Sequence, residues 1–172
     1  MAGILVNKPE ISKYILCTYI AFMIGIMALT VYIAHLTAPT PISMLIKLLV
    51  IGILLAVETI LMLVVRSILR LEYVLSGDKL TIKISKLAGG MKEVRIKSIK
   101  NVKRTLIPFG FRMFGASFHG GHYYIPGLGW AFMAIANFKD GVLIEAENGK
   151  YIITPSRPDE FIEEIRMLKG GA

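Results

Sequence analysis

The chain is short of the residues from which a chemistry could be built. Its 172 residues hold one cysteine, Cys17, one tryptophan and three histidines. A single cysteine excludes an internal disulfide framework and gives no sign of a Cys-based metal site. Ser117, the histidines and the acids show no triad order with a nucleophile elbow. The glycine-rich stretch from 109 to 129 has no following Gly-Lys-Ser/Thr, and it lacks the strand–GxGxxG–helix context of a dinucleotide site. His119 and His122 are separated by Gly120-Gly121, and no third ligand is evident, so no metal is expected there. The reading is of a non-enzymatic protein with no catalytic residues, no cofactor and no metal.

Charge is missing in a pattern that says more. Tyr14 to Leu36 has no Asp, Glu, Lys or Arg, and Ile42 to Val65 has only Lys47 and Glu58. About 20 apolar residues, at about 1.5 Å each along a helix, cross the hydrocarbon core. Both stretches qualify as membrane spans, and 55% of the chain is hydrophobic. The first run is too long for the apolar part of a signal peptide, and no clear small-x-small cleavage site follows it. Thr37 to Pro41 carries two prolines in five residues, which stops the helix and predicts an antiparallel hairpin. Lys8 and Lys13 precede the hairpin, Arg66 and Arg70 follow it, and the connection has no Lys or Arg. The positive-inside rule then puts both termini in the cytoplasm. The expected product is a two-span protein of the cell membrane. Residues 1–70 form the hairpin, and 71–172 form a cytoplasmic domain large enough for its own core.

Within the hairpin, Ala21 and Gly25 in the first span match the depth of Gly52 and Ala56 in the second, so close packing through these small residues is expected. Lys47, near the outer end, is expected to snorkel. Glu58 lies eight residues before Arg66, and an acid at that depth invites a functional explanation. The bland reading is a protonated acid hydrogen-bonded to Tyr19 or Thr18 at the same depth, or to a second copy. The sharper reading is an ion or proton pathway, which two helices cannot enclose alone.

After Arg70 the period changes from helical to alternating. Leu71–Leu75, Lys79–Ser85, Glu93–Lys97 and Ile99–Leu106 read as strands, followed by Trp130–Phe138, Gly141–Glu147 and Lys150–Thr154. Asp140-Gly141 and Asn148-Gly149 are the expected hairpin turns. Pro158-Asp159-Glu160 opens a helix whose apolar face is Phe161, Ile162, Ile165 and Leu168. Met1 to Ser12 reads as a polar lead-in, with a helix start at Lys8-Pro9-Glu10. From Lys79 to Arg112 there are ten Lys or Arg against one acid, Glu93; beyond Met113 there are five against seven. Lys79, Lys83, Arg95, Lys97, Lys103 and Arg104 are therefore expected on one solvent face, beside anionic headgroups. Arg112, His119, His122, Tyr123 and Tyr124 make a polar-aromatic cluster on an irregular segment, expected to be a loop for a ligand or partner. The pI near 9.6 raises nucleic acid, but no binding signature is present and no nucleic acid is expected.

Strand count, helix position and three motifs resemble the bacterial and archaeal PH-like domains attached to membrane hairpins. The motifs are Arg112-Met-Phe-Gly115, the glycines Gly121 and Gly127 to Gly129, and the run GKYIITPSRPDEFIEEI from Gly149 to Ile165. The resemblance implies an α+β membrane protein: a two-helix hairpin, then an antiparallel β-barrel or sandwich of about seven strands, bent and partly open, capped by a C-terminal α-helix. It carries no activity. The expected role is a binding or scaffold module at the cytoplasmic membrane face. Its partners would be membrane lipids and either another protein or further copies of itself. The alternative is a small transporter or channel subunit with Glu58 as its key residue.

Overall fold

A computed structural model describes residues 4–36, 39–86, 90–117 and 119–170. They form two compact units. Lys13–Arg66 is one, and the segments on either side of it make up the other.

The first unit is the expected helical hairpin. Helices α1 (Lys13–His35) and α2 (Pro41–Leu69) are both long and apolar enough to cross a membrane. The start of α2 is fixed by a reciprocal cap: the Ser43 N–H donates to Thr40 Oγ1 and the Thr40 N–H to Ser43 Oγ, each at 3.1 Å. Pro41 fits the first helical position, where no N–H is needed. Lys47 does more than snorkel. Its ammonium donates to the carbonyls of Ala34 (2.6 Å) and Leu36 (2.8 Å), satisfying acceptors that the end of α1 leaves open.

The small residues do not form the expected helix contact. Ala21, Gly25, Gly52 and Ala56 all lie on exposed sides, and a Cβ added at Gly25 or Gly52 would meet nothing within 4 Å. The partly covered rows are Ile15, Tyr19, Met23, Ile26 and Thr30 on α1, and Lys47, Val50, Leu54, Glu58 and Leu61 on α2. Matching depth is a weaker constraint than facing direction, and these rows of larger side chains take the inner sides.

The second unit begins before the hairpin. Strand β1 (Ile4–Asn7) pairs antiparallel with β2 (Glu72–Ser76), from Ile4 opposite Ser76 to Asn7 opposite Tyr73. The polar lead-in is thus a strand of the domain, and the helix starts only at Lys13. The segment is held further by Asn7 Oδ1, which accepts from the Ser156 N–H and hydroxyl, each at 3.1 Å. The Ser12 N–H also donates to the Ala136 carbonyl. The domain therefore takes in residues before the hairpin as well as those from Ser67 onward.

A four-stranded antiparallel sheet has the order β1-β2-β3-β4, with β3 Lys79–Lys83 and β4 Met91–Arg95. A 3-10 turn, Ile96–Ser98, leads to β5 (Ile99–Leu106). The second sheet continues with β6 (Phe111–Ser117), β7 (Gly120–Ile125), β8 (Gly129–Ala134), β9 (Asp140–Ala146) and β10 (Gly149–Ile153). Its order is β5-β9-β10-β8-β7-β6. The described strands number ten rather than about seven, in two sandwich-like sheets without a closed barrel. The stretch from 109 to 129 is not irregular, because β6 and β7 form a hairpin within it. Asp140-Gly141 is not a turn but the start of β9, opposite Leu106 and Thr105. Strand β10 consequently lies between β9 and β8, and runs parallel to β8. The Asn148-Gly149 hairpin does form, with Gly149 at φ 144°.

Helix α3 (Pro158–Gly170) buries Phe161, Ile162 and Ile165 as its apolar spacing predicts. The two sheets are joined through Tyr73, which is fully buried. Its hydroxyl donates to the Ala134 carbonyl (2.7 Å) and accepts from the Thr154 N–H (3.1 Å). Its ring meets Phe161 edge-on at 6.3 Å. Burial raises this phenol well above its ordinary pKa, so it remains a neutral donor.

Candidate functional site: an open cleft between the sheets

The polar-aromatic cluster expected on a loop is divided by strand alternation. On β7, His122 and Tyr124 point to one face and Tyr123 to the other, where Tyr123 joins a core with Ile125, Met133, Leu143 and Ile152. Arg112 lies opposite Tyr123 on β6. His119 is 1% exposed, and its Nδ1 lies 3.2 Å from the Ile135 carbonyl. Desolvation lowers its pKa, only partly offset by that carbonyl. His119 and Tyr123 are thus structural, and the five residues do not form one surface.

His122 and Tyr124 belong to a different arrangement. Cross-strand register sets Phe111, Tyr124 and Trp130 in one row over β6, β7 and β8, and His122 and Phe132 in the next. Tyr124 and Trp130 meet edge-on at 6.0 Å, His122 and Phe132 at 5.2 Å, and Phe132 and Tyr151 at 6.3 Å. This face leads into a cleft of about 240 Å³. Lys92 of β4 forms one side; His122, Trp130, Phe132, Lys150 and Tyr151 of the larger sheet form the others. The Lys92 ammonium lies 5.4 Å from the centre of the Phe132 ring, within cation–π range. Lys150 Nζ donates to the Leu128 carbonyl at 2.5 Å. Burial, then the Lys92 charge, holds the His122 imidazole below its ordinary pKa. Among the described residues no carboxylate lines the cleft, and Lys92 makes no ion pair. Sequence reasoning reached His122 but not its place beside Lys92, Trp130, Phe132 and Tyr151, which only the pairing of distant strands brings together.

The six basic residues are all exposed but fall on different elements. Lys79, Lys83 and Arg95 lie on β3 and β4, with Lys79 opposite Arg95; Lys97 is in the 3-10 turn; Lys103 and Arg104 are on β5. Two are already paired. Lys79 lies 3.7 Å from Glu93, and Arg104 binds Asp159 (2.9 Å) and Asp140 (3.2 Å). Beside Lys79 and Arg95, a polar groove also carries Glu93 and Glu147, so the local charge is largely balanced. Lys83, Arg95, Lys97 and Lys103 have no ion pair among the described residues. Of the six, those four are the ones open to an external anion.

In the hairpin, Glu58 and Tyr19 both lie on the covered rows. Among the described residues no group of three or more His, Cys, Asp or Glu could hold a metal ion.

A search of the curated proteins and a search of the solved structures each found no match. A scan of protein families found the Bacterial PH domain over residues 71–169, the stretch from the residue before β2 almost to the end of α3. That match spans more than half of the sequence and leaves β1 and the two apolar helices outside it. The chain therefore belongs to the bacterial PH-domain family.

Proposed function

We propose that this protein is a non-enzymatic membrane module that holds its PH domain at the cytoplasmic face for protein–protein or oligomeric assembly. Lys83, Arg95, Lys97 and Lys103 would add contact with anionic headgroups. The observation that carries the reading is the pairing of β1 with β2. These adjacent strands are separated in sequence by the two apolar helices. A hairpin inserted between paired strands returns to the side from which it left, so one domain takes in both of its ends. Lys8, Lys13, Arg66 and Arg70 at those ends favour the cytoplasmic side. Unpaired surface cations near an anionic leaflet each contribute about 1 kcal/mol of attraction. Four of them, lifted by the anchor to a high local concentration, need no deep headgroup pocket.

Two measurements on the full chain test this reading. The mass of the complex extracted in mild detergent should exceed the 19.0 kDa of one chain plus its bound detergent. A strictly monomeric particle with no co-purifying protein sinks the assembly role. Amide exchange over residues 79–104 should slow in anionic nanodiscs relative to neutral ones, and salt should abolish the difference. Equal exchange in both removes lipid contact and leaves assembly alone.

A further inference from the structure

The cleft between the sheets has a composition that neither the anchor nor assembly requires. We propose that it binds a small organic anion, with a phosphate or carboxylate group between Lys92 and His122 and a planar or apolar body against Trp130 and Phe132. Three features support this. The first is uncompensated charge: Lys92 and Lys150 both enter the cleft, and no carboxylate among the described residues answers them. Just beyond the cleft, Glu93 and Glu147 line the neighbouring groove. The Asn148 amide, which lines both spaces, donates to the Glu93 carbonyl at 3.4 Å. The acids are thus available nearby but lie in the other space.

The second feature is donor chemistry. A lysine ammonium has three N–H groups and accepts nothing. The Lys150 ammonium uses one on Leu128, and the Lys92 ammonium faces the Phe132 ring. His122, kept neutral by burial and by Lys92, can donate one further N–H without adding repulsion. Such donors suit an acceptor-rich anion, because charge-assisted hydrogen bonds are the stronger kind. The third feature is the walls. Phe132 and Tyr151 are buried, whereas Trp130 is 54% exposed at the mouth. A volume of about 240 Å³ admits a phenyl-sized body with one charged group, below the roughly 300–1,000 Å³ of larger ligand sites.

The anion could be free in solution or carried on a lipid headgroup.

Trp130 is the only tryptophan, so its emission reports on the cleft directly. The full chain in a neutral detergent is titrated with phenyl phosphate, with phenol and inorganic phosphate as comparators. In a separate arm it is placed in anionic and neutral nanodiscs without added ligand. The expected result is a saturable change in Trp130 emission with phenyl phosphate, with weaker binding of inorganic phosphate and none of phenol. Lys92→Gln should weaken phenyl phosphate about tenfold, equivalent to about 1.4 kcal/mol, and Lys92→Arg should restore most of it. If anionic nanodiscs alone change the emission, and Lys92→Gln removes that change, the site stands and its anion is a headgroup. Equal responses to phenol and phenyl phosphate overturn the proposal, as does unaltered binding by Lys92→Gln. No response in any arm, from protein with a cooperative thermal transition, overturns it as well.

Discussion

Replacing Tyr73 by Phe removes one oxygen and leaves the ring, so it isolates the hydrogen bonds that join the two sheets. The edge-on contact with Phe161 is kept and no large cavity opens. The Thr154 N–H loses its acceptor and the Ala134 carbonyl loses a donor. Both residues are 0% exposed, so water cannot replace the missing oxygen. The Thr154 hydroxyl cannot swing in freely, because it accepts from the Ala136 N–H at 2.9 Å. A buried polar group left unpaired costs about 1–3 kcal/mol. Counting one fully orphaned donor and one partly satisfied acceptor, the expected loss is about 2–3 kcal/mol. At roughly 4 °C per kcal/mol for a domain of this size, the melting temperature should fall by about 8–12 °C. The assay is thermal unfolding of the full chain in neutral detergent, followed by Trp130 fluorescence, which reports on the β domain rather than the helices. A fall of less than about 2 °C would refute the reasoning, because it would mean that the hydroxyl joins nothing.

Other perturbations probe separate parts of the account. Gly141→Ala should cost about 1–3 kcal/mol of domain stability in the same melt, because its Cβ would lie 2.5 Å from Ile107 Cδ1 and 3.0 Å from the Ile153 carbonyl oxygen; an unchanged melting temperature would show that the strand relaxes freely. Domain stability should fall as pH drops below the ordinary histidine value of about 6.5. Burial lowers the folded-state pKa of His119 and of His122, so the unfolded chain takes up protons first, and the loss grows until pH falls past the folded pKa and then stays constant. In His119→Gln the slope of melting temperature against pH should be shallower, and an identical slope would remove His119 as its source. Glu58→Gln, which keeps a hydrogen-bonding group at the covered row of α2, should leave the hairpin folded. Proton flux into vesicles that was present in the parent and lost in this variant would favour the transport reading over the anchor.

What could be read from the sequence depended on how local the cause was. The two apolar helices follow from composition alone, and α3 follows from its opening Pro158 and its apolar spacing. Strands β3 and β4 are legible because their own residues alternate, whereas β5 does not alternate and shows only as a stretch ended by Pro108. Strand β1 is not legible, since four residues carry no periodicity and its partner lies beyond both helices. The β6–β7 hairpin was hidden by its glycines, which mimic a loop by composition. Asp140-Gly141 looked like a turn, whereas Gly141 is small because Ile107 and the Ile153 carbonyl crowd it. The cleft was the least legible feature. His122 drew notice as a polar residue among aromatics, but Lys92, Trp130 and Tyr151 come from separate strands and meet only through β8–β10 pairing and the approach of β4. In the hairpin, equal depth suggested contact between Gly25 and Gly52, but depth alone does not determine which side of a helix faces its partner.

One PH domain, built from both sides of the hairpin, should stand at the cytoplasmic face. Thiol accessibility tests it most directly. In a Cys17→Ser background, single cysteines are introduced as Thr40→Cys, between the helices, and Lys169→Cys, on the exposed side of α3. In intact cells a membrane-impermeant maleimide should label the Thr40→Cys protein, and should label the Lys169→Cys protein only after the membrane is opened. Labelling of the Lys169→Cys protein in intact cells, with the Thr40→Cys protein protected, would contradict the account.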